Sequence, residues 1–123
     1  MIEKFPQLAP PKDSYKRDLQ WQYLSLMGTS IYLAYHRQFY TRYYAPKEVS
    51  KEVGKLASDQ REIGYSYLEK ALCPYLLGDK PMAADFYLFM ITRWDPNIKS
   101  LLEDKPKLSE FIKNMKSHDT VVS

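Results

Sequence analysis

Apolar residues recur along residues 15–44 with the spacing of helix faces. No proline interrupts this stretch, and one apolar stripe consists of Leu24, Met27, Gly28, Ile31, Tyr35 and Phe39. Three-and-four spacing of this kind predicts one long α-helix, of roughly 30 residues and about 45 Å. A second stripe on a different side consists of Leu19, Tyr23, Leu26 and Leu33. Because a helix that is apolar on two sides normally packs against two partners, we expect the second stripe to serve a further surface.

The rest of the chain also follows helical periodicity. In residues 46–72 the apolar positions follow helical spacing while Lys and Glu fill the other face, which predicts one amphipathic helix beginning near Pro46. Its Lys and Arg side chains are predicted to form a solvated face. Residues 83–94 are almost wholly apolar, and such a helix belongs at the centre of a domain. Two shorter helices are predicted near 97–103 and 107–117, and no segment shows strand-like alternation. The pattern therefore predicts an all-α helical bundle of about five helices.

The length and composition fit one globular domain that spans residues 1–123. The chain is 45% hydrophobic and 27% charged, which is ordinary for a folded domain of this size. Residues 1–12 contain three of the eight prolines and are predicted to be a linker-like lead-in. The polar residues 118–123 are predicted to be a frayed tail.

Charge and cysteine usage exclude several classes of protein. The net charge of +3 is spread along the chain, which argues against a nucleic-acid partner. A single Cys73 rules out an internal disulfide and is predicted to be a small core residue, while His36 and His118 lie too far apart in sequence to suggest a metal site. We find neither an apolar leader nor a membrane-length apolar run, so a cytoplasmic location without membrane attachment is expected.

A loop motif precedes the apolar helix at 83–94. With Met82 as the N-cap, Asp85 is the N3 residue, and its carboxylate can accept a hydrogen bond from the amide of residue 82. Pro81 can then contact Phe86 as a hydrophobic staple, and Gly78 would supply the turn of the loop. A buried Asp85 also invites interpretation as a general base, but helix capping accounts for it fully. We therefore predict a structural capping motif.

This motif resembles the most recognisable stretch of the C-terminal helical domain of the cytosolic glutathione S-transferase family. In that family a loop glycine is followed seven residues later by a buried aspartate of the central helix, as Gly78 is followed by Asp85. Further resemblances are the family's linker at 5–10, the start of its first long helix at 15–21, the end of the central helix of the bacterial beta class at 92–94, and the last helix at 106–111. The resemblance covers nearly the whole chain and implies a glutathione transferase C-terminal-like fold.

The resemblance also implies how the function is divided. In the family a thioredoxin-like N-terminal domain, which is built on a sheet, holds glutathione and supplies the residue that activates its thiol. Residues 1–123 of this sequence contain no strand-like segment. We therefore expect no catalytic residue, no cofactor and no conjugation from this chain alone. Glutathione would be the co-substrate if a thioredoxin-like domain were supplied, and the helical chain would contribute a hydrophobic substrate pocket and a dimer surface.

The candidate substrate-binding residues are aromatic. Family members present side chains of the long helix to an apolar substrate, which implies a pocket for a small hydrophobic ligand formed by Tyr15, Tyr32, Tyr35, His36, Phe39 and Trp94. The alternative is that these rings only pack in the core or at an interface. Two functions remain open: the binding part of a transferase, as a homodimer or with a thioredoxin-like partner, or a non-catalytic interaction or ligand-binding module.

Overall fold

The computed structural model describes residues 8–117. Its helices are α1 (Tyr15–Leu26), a π-helical segment (Met27–Tyr32), α2 (Leu33–Phe39), α3 (Ser50–Ala71), α4 (Ala83–Thr92), α5 (Ile98–Leu102) and α6 (Pro106–Ser117). Counting α1, the π segment and α2 as one continuous helix gives five helices, besides two 3₁₀ turns at Thr41–Tyr43 and Lys47–Val49. Residues 8–117 contain no strand. The all-α prediction is confirmed. Residues 1–7 of the predicted lead-in and the whole predicted tail lie outside the described residues.

The first long helix begins after Ser14, which caps it, since its Oγ accepts a hydrogen bond from the Arg17 amide at 3.2 Å. The helix differs from its prediction in its middle and at its end. The middle widens into a π-helix, where the Thr29 hydroxyl donates to the Ser25 carbonyl at 2.7 Å and so competes with the backbone ladder. The helix ends at Phe39 rather than at residue 44, because Tyr40 adopts a non-helical conformation with φ −126° and ψ 50°.

The core forms where the first long helix, α3, α4 and α6 meet. Its most deeply buried members are Met27, Ile31, Tyr35, Tyr65, Leu68, Leu88, Ile91, Leu108, Phe111 and Met115. The predicted second stripe of the long helix does not form a separate surface. Tyr23 is buried, and Leu19 and Leu26 pack against the core, so only Leu33 is exposed.

Helix α4 lies at the centre of the domain on most of its circumference. Ala84, Leu88 and Ile91 are fully buried, as the apolar sequence predicts. Burial on all sides was the expectation, and it is wrong for one face, since Met90 and Trp94 are each 39% exposed.

Asp85 lies in the first turn of α4 with both carboxylate oxygens hydrogen-bonded. The Asp85 Oδ2 accepts a hydrogen bond from the Met82 amide at 2.8 Å, and its Oδ1 accepts one from the Leu76 amide at 2.9 Å. Asp85 therefore caps the helix and also ties down the preceding loop, in which Gly78 has a φ of +137° that favours glycine. The Pro81–Phe86 staple stays a prediction.

A second carboxylate joins two helices. Glu69 on α3 accepts hydrogen bonds from the Lys107 and Leu108 amides at 2.8 and 2.6 Å. These amides belong to the first turn of α6, where a helix has unpaired N–H groups and favours negative charge. The position of α6 against α3 is therefore fixed by polar contacts as well as by apolar packing.

The loop between α3 and α4 places its cysteine at the surface. Cys73 is exposed, so its predicted role as a core residue is wrong. Leu72, Leu76 and Leu77 of the same loop are buried instead, because these larger apolar side chains gain more from burial than the thiol. In the part of the chain that the structure describes, no helix is long and apolar enough to cross a bilayer.

Candidate ligand-binding cleft

Aromatic side chains enclose a cleft of about 640 Å³ between the end of α2 and the end of α4. Its lining consists of Tyr32, Tyr35, His36, Phe39, Tyr40, Tyr43 and Trp94. The volume falls within the range of small-molecule sites, and such sites are predominantly apolar and aromatic. The cleft is therefore the candidate functional site of the described chain.

Five of the six residues proposed from sequence line this cleft, and Tyr15 does not. Tyr15 lies in the first turn of α1, near the opposite end of the long helix, and is 78% exposed. Sequence reasoning missed Tyr40 and Tyr43. The signal was available, because positions 32, 36, 39, 40 and 43 share one side of a helical net.

The rings contact one another with geometries that favour aromatic packing. Tyr32 meets Trp94 edge to face with centroids 5.2 Å apart, and Tyr35 meets Trp94 in the same way at 6.3 Å. Tyr35 and Phe39 are stacked at 5.8 Å. Offset and edge-to-face pairs are the preferred arrangements of aromatic rings. Tyr35 is fully buried while Tyr32, Phe39 and Trp94 are partly exposed, so Tyr35 forms the floor and the others form the walls.

Polar contacts hold the floor residue in place. The Tyr35 hydroxyl donates to Asp95 Oδ2 at 2.9 Å and lies 2.7 Å from the Tyr65 hydroxyl. Burial, followed by the Tyr65 and Asp95 contacts, raises the pKa of Tyr35 far above its usual range. This hydroxyl therefore stays protonated and engaged, and it is unsuited to accepting a proton from a thiol.

A buried arginine completes this arrangement. The guanidinium carbon of Arg61 lies 4.2 Å from the Tyr35 ring centroid, and its Nη2 lies 3.5 Å from Asp95 Oδ2. Arg61 Nη1 also donates to the Gln38 side-chain oxygen. Because both charged side chains are at least nine-tenths buried, each depends on the other for compensation. Sequence reasoning placed the basic residues of this helix on a solvated face, which is wrong for Arg61.

The Arg61 cluster borders a second cavity of about 260 Å³. It is lined mainly by polar side chains, namely Gln38, Ser58, Arg61, Glu62, Tyr65, Asp95, Asn97 and Ser100, together with Pro96 and Leu101. Its charged groups are already paired, since Arg61 contacts Asp95 and Glu62 contacts Lys105. Among residues 8–117 there is no group of His, Cys, Asp or Glu side chains that could hold a metal ion.

At the mouth of the aromatic cleft, His36 belongs to a cluster with two tyrosines. Its Nδ1 lies 2.5 Å from the Tyr44 hydroxyl, and its ring lies 4.9 Å from that of Tyr40. These contacts hold the turn that follows α2 against the helix. Tyr40 and Tyr43 of this turn line the cleft, although α2 ends at Phe39.

Comparison with known proteins agrees with the fold. The structure resembles the ternary complex of BphK, a bacterial GST, with a TM-score of 0.83 and 24% identity over 98% of this chain and 60% of that chain. It also resembles a glutathione transferase from Methylococcus capsulatus strain Bath, with a TM-score of 0.75 and 23% identity over 98% of this chain and 59% of that one. The chain thus spans about three-fifths of the length of these proteins. No curated protein matches the chain.

The two structural similarities show the fold, and a comparison with protein families identifies the family as well. The family described as "Glutathione S-transferase, C-terminal domain" matches residues 34–123, which is well over half of the chain. The match does not distinguish classes within the family, so the beta-class resemblance stays a prediction. It includes α3, α4 with its Asp85 cap, and every residue of the cleft except Tyr32. The chain therefore belongs to the glutathione S-transferase C-terminal domain family.

Proposed function

We propose that this chain is the helical part of a glutathione transferase and that the aromatic cleft binds its apolar substrate. The observation that supports this most directly is the convergence of six aromatic rings and His36 on one cleft of about 640 Å³. Flat aromatic walls bind a flat apolar molecule by burial and by ring stacking. A planar aromatic electrophile is the class of substrate that suits this shape.

In this proposal thiol activation comes from outside the cleft. Tyr35 is the buried hydroxyl of the cleft, and its pKa is raised by burial rather than lowered. In this proposal a thioredoxin-like domain supplies the glutathione site and the activating residue. The partly exposed apolar surface at the end of α4, formed by Met90 of the helix and by Trp94 just beyond it, is a suitable surface for that domain because it adjoins the cleft.

Ligand binding can be measured through Trp94. The chain has two tryptophans, so a Trp21→Phe variant leaves Trp94 as the single reporter. We expect a neutral naphthalene derivative to quench Trp94 fluorescence with a micromolar dissociation constant, because stacking on the walls buries both rings. The same sample should not conjugate an aromatic electrophile to glutathione.

Two variants control this experiment. Phe39→Ala removes a wall and should weaken binding at least several-fold, whereas Tyr15→Ala alters an exposed ring outside the cleft and should leave binding unchanged. Equal affinities in both variants would contradict a site in the cleft. Conjugation by the 123 residues alone would contradict the proposal that a thioredoxin-like domain supplies the glutathione site and the activating residue.

A specific surface feature also favours an assembly role, as a homodimer. Leu56, Ile63 and Tyr67 form a stripe on the outer side of α3 and are 68%, 72% and 55% exposed. Large apolar side chains repeated along one helix face favour a partner of matching character, and a two-fold axis lets one such stripe pack against a second copy of itself. Within this proposal the dimer and the ligand cleft use different faces of the chain.

Self-association can be tested by charge introduction. We expect the protein to sediment as a dimer at about 100 µM, and Ile63→Lys to sediment as a monomer, because an unpaired lysine at an apolar interface is costly. Met90→Lys adds the same charge at an exposed apolar position of α4 and should stay dimeric. A monomeric wild type at this concentration would rule out the stripe as a self-association surface.

A further inference from the structure

Positive charge adjoins the aromatic cleft. The guanidinium carbon of Arg42 lies 4.6 Å from the ring centroid of Tyr43 and 5.5 Å from that of Tyr40, and both rings line the cleft. Arg42 is exposed, and its Nη2 donates to the Tyr43 hydroxyl at 3.3 Å. Arg42 takes part in none of the ion pairs found among residues 8–117.

A second arginine lies on the Trp94 side. Arg93 and Trp94 both line a depression of about 470 Å³, and Trp94 also lines the cleft. Within the described chain Arg93 has no ion pair either. Arg93 is also the C-cap of α4, where a cation is favoured by the helix carbonyls. Its position thus has a structural explanation, and Arg42 is the stronger indication of a ligand.

Negative charge near the cleft is already compensated. No Asp or Glu side chain lines the cleft. Asp95 follows Trp94 directly, but its side chain is 5% exposed, pairs with Arg61 and accepts hydrogen bonds from Tyr35 and from the Asn97 amide. A ligand in the cleft therefore meets aromatic rings. Arg42 lies against two of these rings without itself lining the cleft, and it lacks an anionic partner in the described chain.

We infer that the cleft selects small planar aromatic molecules that carry an anionic group, a carboxylate or a sulfonate, over neutral molecules of the same shape. This inference rests on the proposed function and names the substrate class of the same site. The rings bury the planar body, and the guanidinium of Arg42 pairs with the anionic group at the rim. A guanidinium suits both groups because it can donate two parallel hydrogen bonds to their oxygens.

A matched pair of ligands tests the inference. Naphthalene-2-sulfonate and naphthalene-2-sulfonamide have nearly the same shape and differ in charge. In the Trp21→Phe protein at low salt, we expect the sulfonate to bind about fivefold more tightly, which is the size of a good ion pair at an exposed rim. The preference should nearly disappear in about 0.5 M NaCl, because salt screens an exposed charge.

Variants assign the preference to a residue. Arg42→Gln should bring the two dissociation constants together, and Arg42→Lys should keep part of the difference because it keeps the charge. Lys113→Gln removes an exposed cation from α6 outside the cleft and should keep the full preference. Equal binding of both ligands to the unaltered cleft overturns the inference and leaves the pocket itself standing. A preference that survives Arg42→Gln also overturns it, and no binding of either ligand overturns the proposed function as well.

Discussion

Gly64→Ala is expected to destabilise the protein by about 2 kcal/mol. A Cβ at this position of α3 would lie 2.7 Å from Cγ1 and 3.0 Å from Cδ1 of Ile31. Ile31 is fully buried in the π-helical segment, so it has no space into which to move. Overpacking of this kind costs about 3 kcal/mol, and the higher helix propensity of alanine returns about 1 kcal/mol of that. Urea unfolding followed by circular dichroism measures the difference.

The same helix contains a matched control. A Cβ at Gly54 has no heavy atom within 4 Å, so Gly54→Ala should stabilise the protein by about 1 kcal/mol through helix propensity alone. Ile31→Ala in the Gly64→Ala background tests the contact itself. The double variant should be less destabilised than the sum of the two single variants, and simple additivity would show that the close approach of α3 to Ile31 is not the cause.

Local sequence patterns were sufficient for the elements of this fold. The helices α3 to α6 begin and end within about four residues of their predicted bounds, because prolines, glycines and a change of hydrophobic period mark them locally. The Asp85 cap was predictable for the same reason, since its donor, the Met82 amide, is three residues away. The donor and the acceptor of this cap are therefore visible together in the sequence, whereas the π-helical segment was missed even though the Thr29–Ser25 contact is local.

The burial of Arg61, which sequence reasoning missed, depends on distant contacts. Arg61 contacts Gln38 and lies beside the Tyr35–Asp95 hydrogen bond, and these pairs join residues 23 and 60 positions apart. Helical periodicity does indicate that Arg61 is buried, because positions 57, 61, 64, 65 and 68 share the buried face of α3. An arginine on a buried face requires an internal anion, and only the fold shows that Asp95 supplies it.

Replacing Asp85, the cap of α4, is expected to destabilise the protein. Its carboxylate is fully buried and accepts amide hydrogen bonds on both oxygens. Asp85→Asn keeps the shape of the side chain but replaces one carboxylate oxygen by an NH₂ group. This buried NH₂ group would then face the backbone N–H of Leu76 or Met82, so that two donors meet without an acceptor. We expect a loss of about 2 kcal/mol at pH 7.5, the usual cost of an unsatisfied buried donor. Asp79→Asn, an exposed position in the same loop, should have almost no effect.

Through Asp85, acidification to pH 5 is expected to increase the stability of the folded protein, whereas carboxylates with a lowered pKa have the opposite effect. Burial raises the pKa of Asp85 to about 6, although the Leu76 and Met82 amides act to lower it. The folded protein then takes up a proton more readily than the unfolded chain between pH 6 and 4. This gain in stability is complete below the unfolded pKa and is lost as the pH rises through the folded pKa. Wild type should therefore gain about 1.4 kcal/mol relative to Asp85→Asn between pH 7.5 and pH 5. Urea unfolding of both proteins at the two pH values gives the difference, and a relative loss by wild type on acidification would mean that the two amides outweigh burial.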